Sequence, residues 1–147
     1  MSVHAFVYLA SQSPRRRQLL DQLGARHELL LAGDAEDAEA LEHERKGESP
    51  EDYVRRVTRA KLAAARARRV ERRLIDAPVL CADTTVALGR RIFGKPADAD
   101  AARAMLAALS GRTHRVLSAV AMWTGSRRLE ALSTSRVRFA ALPSAVV

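Results

Sequence analysis

The sequence predicts an α/β domain, a mixed sheet flanked by helices. Three observations point there. A short apolar stretch, "AFVYLA" (5–10), runs straight into a helix start at Ser13; apolar stretches and helical stretches then alternate along the chain; and the last two apolar stretches are joined by "TGS". Strand–loop–helix units favour parallel pairing and a tight "TGS" connection favours an antiparallel hairpin, so the sheet is expected to be mixed.

Taken in order, 5–10 is a strand. Ser13 is a good N-cap, Pro14 suits the first helical position, and Leu19, Leu20 and Leu23 offer the following helix an apolar face. "HELLLA" (27–32) reads as a second strand, and 33–50 as an acidic, apolar-poor loop holding Glu36, Asp37 and Glu39. Ser49, Pro50 and Asp52 then open a long helix expected to reach about Arg73, with Tyr53, Val54, Val57, Ala60, Lys61 and Ala64 on or near one face. "APVLCADTTVALG" (77–89) is an apolar strand interrupted by Asp83, Thr84 and Thr85, and 90–96 a turn and short return strand ending at Gly94-Lys95-Pro96. A helix over 98–109 stops at Ser110-Gly111, and strands over 113–123 and 127–142 complete the hairpin. Pro143 and Ser144 announce a further helix that the remaining residues do not deliver; a frayed tail is the plainer reading.

Composition sets the bounds. With 147 residues, 48% hydrophobic and 29% charged, the chain makes one domain, 1–147, with a core of its own. No apolar run approaches a membrane span and the first residues lack a secretory pattern, which points to the cytoplasm. Cys81 is the only cysteine, so intrachain disulfides and thiolate clusters are excluded, and His4, His27, His43 and His114 show no metal-ligand spacing. A net charge of +8 suits polyanionic partners, although arginine-rich composition weakens that clue.

"SQSPRRRQLL" (11–20) raises a physical question, because the first turn of a helix is the positive end of its dipole and three arginines stand there. Free backbone N–H groups, a hydroxyl and guanidinium groups at one helix N-terminus make a site for an anion such as phosphate. Arg15 and Arg16 suit that role; Arg17, further round the helix, falls on the solvent side. Asp83 is costly in an apolar strand unless it is paired, metal-bound or exposed, and a local turn accounts for it equally well. Glu36 reads first as a solvated loop acid, Lys61 as a lysine snorkelling at the core's edge, and Lys95 as part of a Gly-Lys-Pro turn. Arg66, Arg68, Arg69, Arg72 and Arg73 read as a solvated helix face. No phosphate-binding Walker pattern, nucleophile elbow or dinucleotide fingerprint occurs.

In series, "LASQSPRRRQLLDQLG", Glu36, Lys61, "CADTTVALG", "GKP" and "LSGRTHRVLSAV" resemble the Maf family of nucleoside triphosphate pyrophosphatases, over residues 7 to about 142. The resemblance implies a fold related to the inosine triphosphate pyrophosphatases and hydrolysis of a nucleoside triphosphate to the monophosphate and pyrophosphate with a divalent metal. On that basis Ser13, Arg15, Arg16, Lys61 and Lys95 meet the triphosphate, Glu36 and Asp83 hold Mg²⁺ or Mn²⁺, and Asp83 is the proton acceptor for the attacking water. Tight metal binding weakens a carboxylate as a base, so the two roles of Asp83 compete. Thr84 is expected to help bind the substrate, and Arg15 after Pro14 and Thr84 after Asp83 look like the branch acting on dTTP and UTP rather than the one preferring 7-methyl-GTP.

The family pattern continues past residue 147 with a helix and an Asp-Lys-Ala-Gly segment, so the C-terminal portion is expected to be missing. The partner expected is a nucleoside triphosphate, with homodimerisation by analogy and no membrane contact. Other readings are the same reaction on another nucleotide, an inactive fragment, or a basic nucleic-acid-binding module; the last has few aromatics for base stacking and leaves Asp83, Glu36 and "GKP" unexplained.

Overall fold

A computed structural model describes residues 5–146; His4, one of the four scattered histidines, lies outside them. Strands β1 (Val7–Leu9), β2 (His27–Leu29), β3 (Val79–Leu88), β4 (Arg91–Phe93), β5 (Thr113–Thr124) and β6 (Arg127–Arg138) alternate with helices α1 (Pro14–Gln22), α2 (Pro50–Glu71) and α3 (Ala99–Leu109). The sheet runs β2-β1-β3-β5-β6, with β4 also on β3. β1 is parallel to β2 and β3, while β3–β4, β3–β5 and β5–β6 are antiparallel. The sheet is therefore mixed, as the alternation of elements predicts.

The local signals act where they stand. Ser13 caps α1 by accepting from the Arg16 N–H, Ser49 caps α2 by accepting from the Asp52 N–H, and each helix has proline in its first turn. Gly125, at φ +58°, turns the β5–β6 hairpin, a conformation glycine adopts without a Cβ penalty. Between β2 and α2, a 3₁₀ turn over Glu39–Glu42 interrupts the stretch read as plain loop.

α2 lies across β3 and β5 and buries Val54, Val57, Leu62 and Ala65, which recur at helical spacing. One core cluster joins Leu62 and Ala65 to Tyr8, Leu30, Val79 and Cys81; a second joins Val54 to Ala87, Leu117 and Ala119.

Three expectations are corrected. α1 has no fully buried residue: Leu19 and Leu23 are exposed, Leu23 at 79%, and Leu20 alone of the three leucines is half-buried. The arginines of α2 are not simply a solvated face. Arg68 is only 7% exposed and donates to the Leu30 carbonyl, Arg69 donates to the Ala77 carbonyl, and Arg72 to the Leu31 carbonyl, so they tie the helix to the loops beneath it. Finally, β6 stops at Arg138 rather than near 142. The next residues turn back to α3's end: the Phe139 N–H donates to the Arg112 carbonyl, the Gly111 N–H to the Ala140 carbonyl and the Leu142 N–H to the Ser110 hydroxyl. Residues 144–146 form a single turn, with the Val146 N–H on the Pro143 carbonyl.

Candidate active site

Alternation along β3 turns Cys81, Asp83 and Thr85 toward α2, because side chains two apart share a sheet face. Lys61, one turn after Val57 on α2, reaches Asp83: its ammonium donates to Asp83 Oδ1 at 3.1 Å and to Glu42 Oε1 at 2.7 Å. The lysine side chain is 23% exposed and the aspartate 15%. Burial works against the Lys61 ammonium, but Glu42 and Asp83 outweigh it and hold its pKa above the ordinary lysine value. Asp83 is thus ion-paired in the middle of a strand, and the local-turn reading of it falls.

β1 is parallel to β3, with Leu9 opposite Leu80, so the chain leaving β1 runs on beside residues 81–83. That segment holds the serines and leads into the arginines expected to meet an anion. Ser11 Oγ accepts from the Ser13 N–H at 3.2 Å and from an Arg16 guanidinium N–H at 3.1 Å. Ser13 Oγ accepts from the Arg16 N–H at 3.4 Å. Arg16 is half-buried against this loop, while Arg15 and Arg17 are exposed. The buried Cys81 thiol shows the convergence: burial pushes its pKa up to about 12, against the fields of Arg68, Lys61 and Arg16. A thiol so placed is inert as a nucleophile.

Glu36 stands elsewhere. Its two oxygens take both N–H groups of the Arg68 fork, at 2.8 and 2.7 Å, and one also accepts from the Gly33 N–H at 3.0 Å. The Arg68 hydrogen bonds, then the Gly33 one, lower its pKa to about 2. Arg68 lies seven residues beyond Lys61, two turns along the same face of α2. Thr84 points to the opposite sheet face from Asp83, where its hydroxyl and that of Ser118 are 3.1 Å apart. Lys95 is exposed, two residues past Phe93, which pairs with Val86 of β3.

The structure therefore brings Lys61 to Asp83 and sets Ser13 and Arg16 in the neighbouring loop; it holds Glu36 on Arg68 and Thr84 on the other face. Two residues that the sequence did not mark as part of the site are prominent. Glu42 gave no signal, being one of several acids in an aperiodic loop; Arg68 had one, its i+7 spacing from Lys61. Among the described residues, no group of three or more His, Cys, Asp and Glu side chains could hold a metal unaided. Two cavities, of about 280 and about 670 Å³, lie between α2 and the β5–β6 hairpin, and no candidate residue lines either. The site is instead the open surface around Asp83.

The described residues thus make an α/β protein with a serine-capped, arginine-bearing helix N-terminus after β1 and a lysine-paired carboxylate on the neighbouring strand β3. The chain belongs to the Maf family: the family model described as Maf-like protein matches residues 6–147. It is similar to the dTTP/UTP pyrophosphatase of Cupriavidus pinatubonensis, 58% identical over 145 residues, covering 99% of this chain and 72% of that protein. The dTTP/UTP pyrophosphatase of Polaromonas sp. is 60% identical over 97% of this chain and 70% of its own length. That of Burkholderia pseudomallei is 63% identical over 93% and 66%. The chain thus spans about 70% of the length of such relatives. A slighter likeness is to the Staphylococcus aureus Ham1 protein, with TM-score 0.43 and 13% identity over 88% of this chain and 69% of that one; it adds nothing to the fold described above.

Proposed function

We propose that this chain hydrolyses nucleoside triphosphates, dTTP and UTP first, to the monophosphate and pyrophosphate. The observation that carries the reading is the Lys61–Asp83 pair beside the Ser13-capped N-terminus of α1, in a chain 58–63% identical to dTTP/UTP pyrophosphatases.

Phosphoryl transfer asks the protein mainly for positioning and for charge opposite the phosphoryl oxygens. The free N–H groups of α1, the Ser13 hydroxyl, Arg15 and Arg16 receive the phosphate chain; Lys61 and Lys95 add charge from α2 and from the turn after β4. Asp83 offers one oxygen to Lys61, which fixes its orientation, and its Oδ2 takes the proton of the attacking water. Thr84 and Ser118, across the sheet, brace the strand that carries Asp83.

A divalent metal fits this donor set only in part. Mg²⁺ and Mn²⁺ are commonly held by one or two carboxylates with substrate phosphates supplying the rest, and Asp83 can serve as such a carboxylate. Glu36 fits less well, since its carboxylate is already spent on Arg68 and Gly33. When bound, the metal would neutralise charge on the triphosphate. A nucleoside triphosphate substrate suits a cytoplasmic enzyme, and no described helix is long and apolar enough to cross a membrane.

The reading is tested by pyrophosphate and orthophosphate release from dTTP, UTP, CTP and 7-methyl-GTP, with Mg²⁺ or Mn²⁺. Pyrophosphate from dTTP and UTP, with little from the other two, is expected. Orthophosphate as the product, or a preference for 7-methyl-GTP, would reject it.

A further inference from the structure

We propose that Glu42 is the exchangeable counter-ion of Lys61: it occupies the ammonium in the free protein, gives it up to a phosphate of the substrate, and so sets the affinity of the site for phosphate chains. The inference rests on the reading of this centre as a phosphate site.

Lys61 carries one positive charge and touches two carboxylates, at 2.7 Å (Glu42) and 3.1 Å (Asp83). The trio has an excess of negative charge, which repels a phosphate until one acid withdraws. The two acids are not equally placed to do so. Asp83 is built into the middle of β3, paired through the ladder with Ala119, and its side chain is 15% exposed. The Glu42 side chain is 50% exposed and extends from the last residue of a short 3₁₀ turn. That turn has its own anchors, independent of the carboxylate. The Tyr53 hydroxyl donates to the Glu42 carbonyl at 2.7 Å, and an Arg56 N–H donates to the His43 carbonyl at 2.7 Å. The carboxylate can swing into water while the backbone stays, and Lys61 then meets phosphate with Asp83 still attached. Glu39, at the other end of the same turn, is exposed and makes no ion pair among those found in the described residues, so it supplies a control of equal charge.

The experiment is calorimetric binding of tripolyphosphate, without metal, to wild type, Glu42→Gln, Glu39→Gln, Lys61→Gln and the Glu42→Gln/Lys61→Gln double variant. Glu42→Gln should bind roughly two- to fivefold more tightly, the scale of a partly exposed competing ion pair. Lys61→Gln should bind more weakly, and the gain from Glu42→Gln should vanish in its background. Unchanged or weaker binding by Glu42→Gln, an equal gain from Glu39→Gln, or a gain that survives loss of Lys61 would each overturn the proposal. So would a wild type and a Glu42→Gln variant that both fail to bind tripolyphosphate. With dTTP as substrate, KM should fall by the same factor. If tripolyphosphate binds as expected but dTTP is not turned over, the nucleotide reading fails and the role of Glu42 stands.

Discussion

Glu36 and Asp83 each hold a cation, and their surroundings give them different work. Glu36 is clamped by a guanidinium fork that is itself buried, and it fastens the segment after β2 to α2. Removing its charge leaves Arg68 partly uncompensated, which costs roughly 1–3 kcal/mol, toward the low end because Glu36 is not fully desolvated. The pH dependence has a definite sign. The Glu36 pKa is lowered from 4.5 to about 2, so its contribution is complete above about pH 5 and is lost as pH falls toward 2. Urea unfolding of wild type and Glu36→Gln should show the largest gap near neutrality and a shrinking one in acid. A gap independent of pH would mean that the Arg68 clamp is not its source. Asp83, by contrast, shares a lysine that another acid also holds, an arrangement open to exchange.

At the scale of elements, α1 and α2 begin with the same device, a serine cap followed by proline, yet they serve different ends. α2 buries a long apolar face, so loss of its cap should be felt by the whole fold; α1 has no fully buried residue, and its N-terminus belongs to the proposed phosphate site. Ser49→Ala should therefore lower stability by about 1 kcal/mol and leave KM for dTTP close to wild type. Ser13→Ala should leave the urea midpoint nearly unchanged and raise KM several-fold. Equal effects of the two variants on both readouts would refute this division. These helix starts were legible in the sequence because capping is local, and so was the hairpin, through its glycine turn. What was not legible depended on the fold. The burial of Arg68 needs the Leu30 carbonyl and Glu36 brought under α2, and the reach of Glu42 to Lys61 needs a 3₁₀ turn that no periodicity marks. Leu19 and Leu23, in α1 and at its C-cap, misled for the matching reason: an apolar pattern states what can be buried, not what covers it.

For the molecule as a whole, the net charge of +8 adds a field that draws polyanions toward any site on the surface. KM for dTTP should rise several-fold between about 0.05 and 0.3 M salt as that field and the exposed Arg15 and Lys95 are screened, with kcat changing less. A KM insensitive to salt would place recognition on the base rather than on the phosphates. The mixed sheet sets the proposed site because β1 and β3 run parallel: the chain leaving β1 starts beside the strand that bears Asp83, and α2, packed across β3 and β5, brings Lys61 to that carboxylate. In the proposed function this junction activates water at a bound triphosphate. The most direct test is pyrophosphate release from saturating dTTP by wild type and Asp83→Asn, with nucleotide binding to both measured separately. Asp83→Asn is expected to bind dTTP still and to lose turnover by about 100-fold or more, the scale of a lost general base. Turnover retained in Asp83→Asn would contradict it.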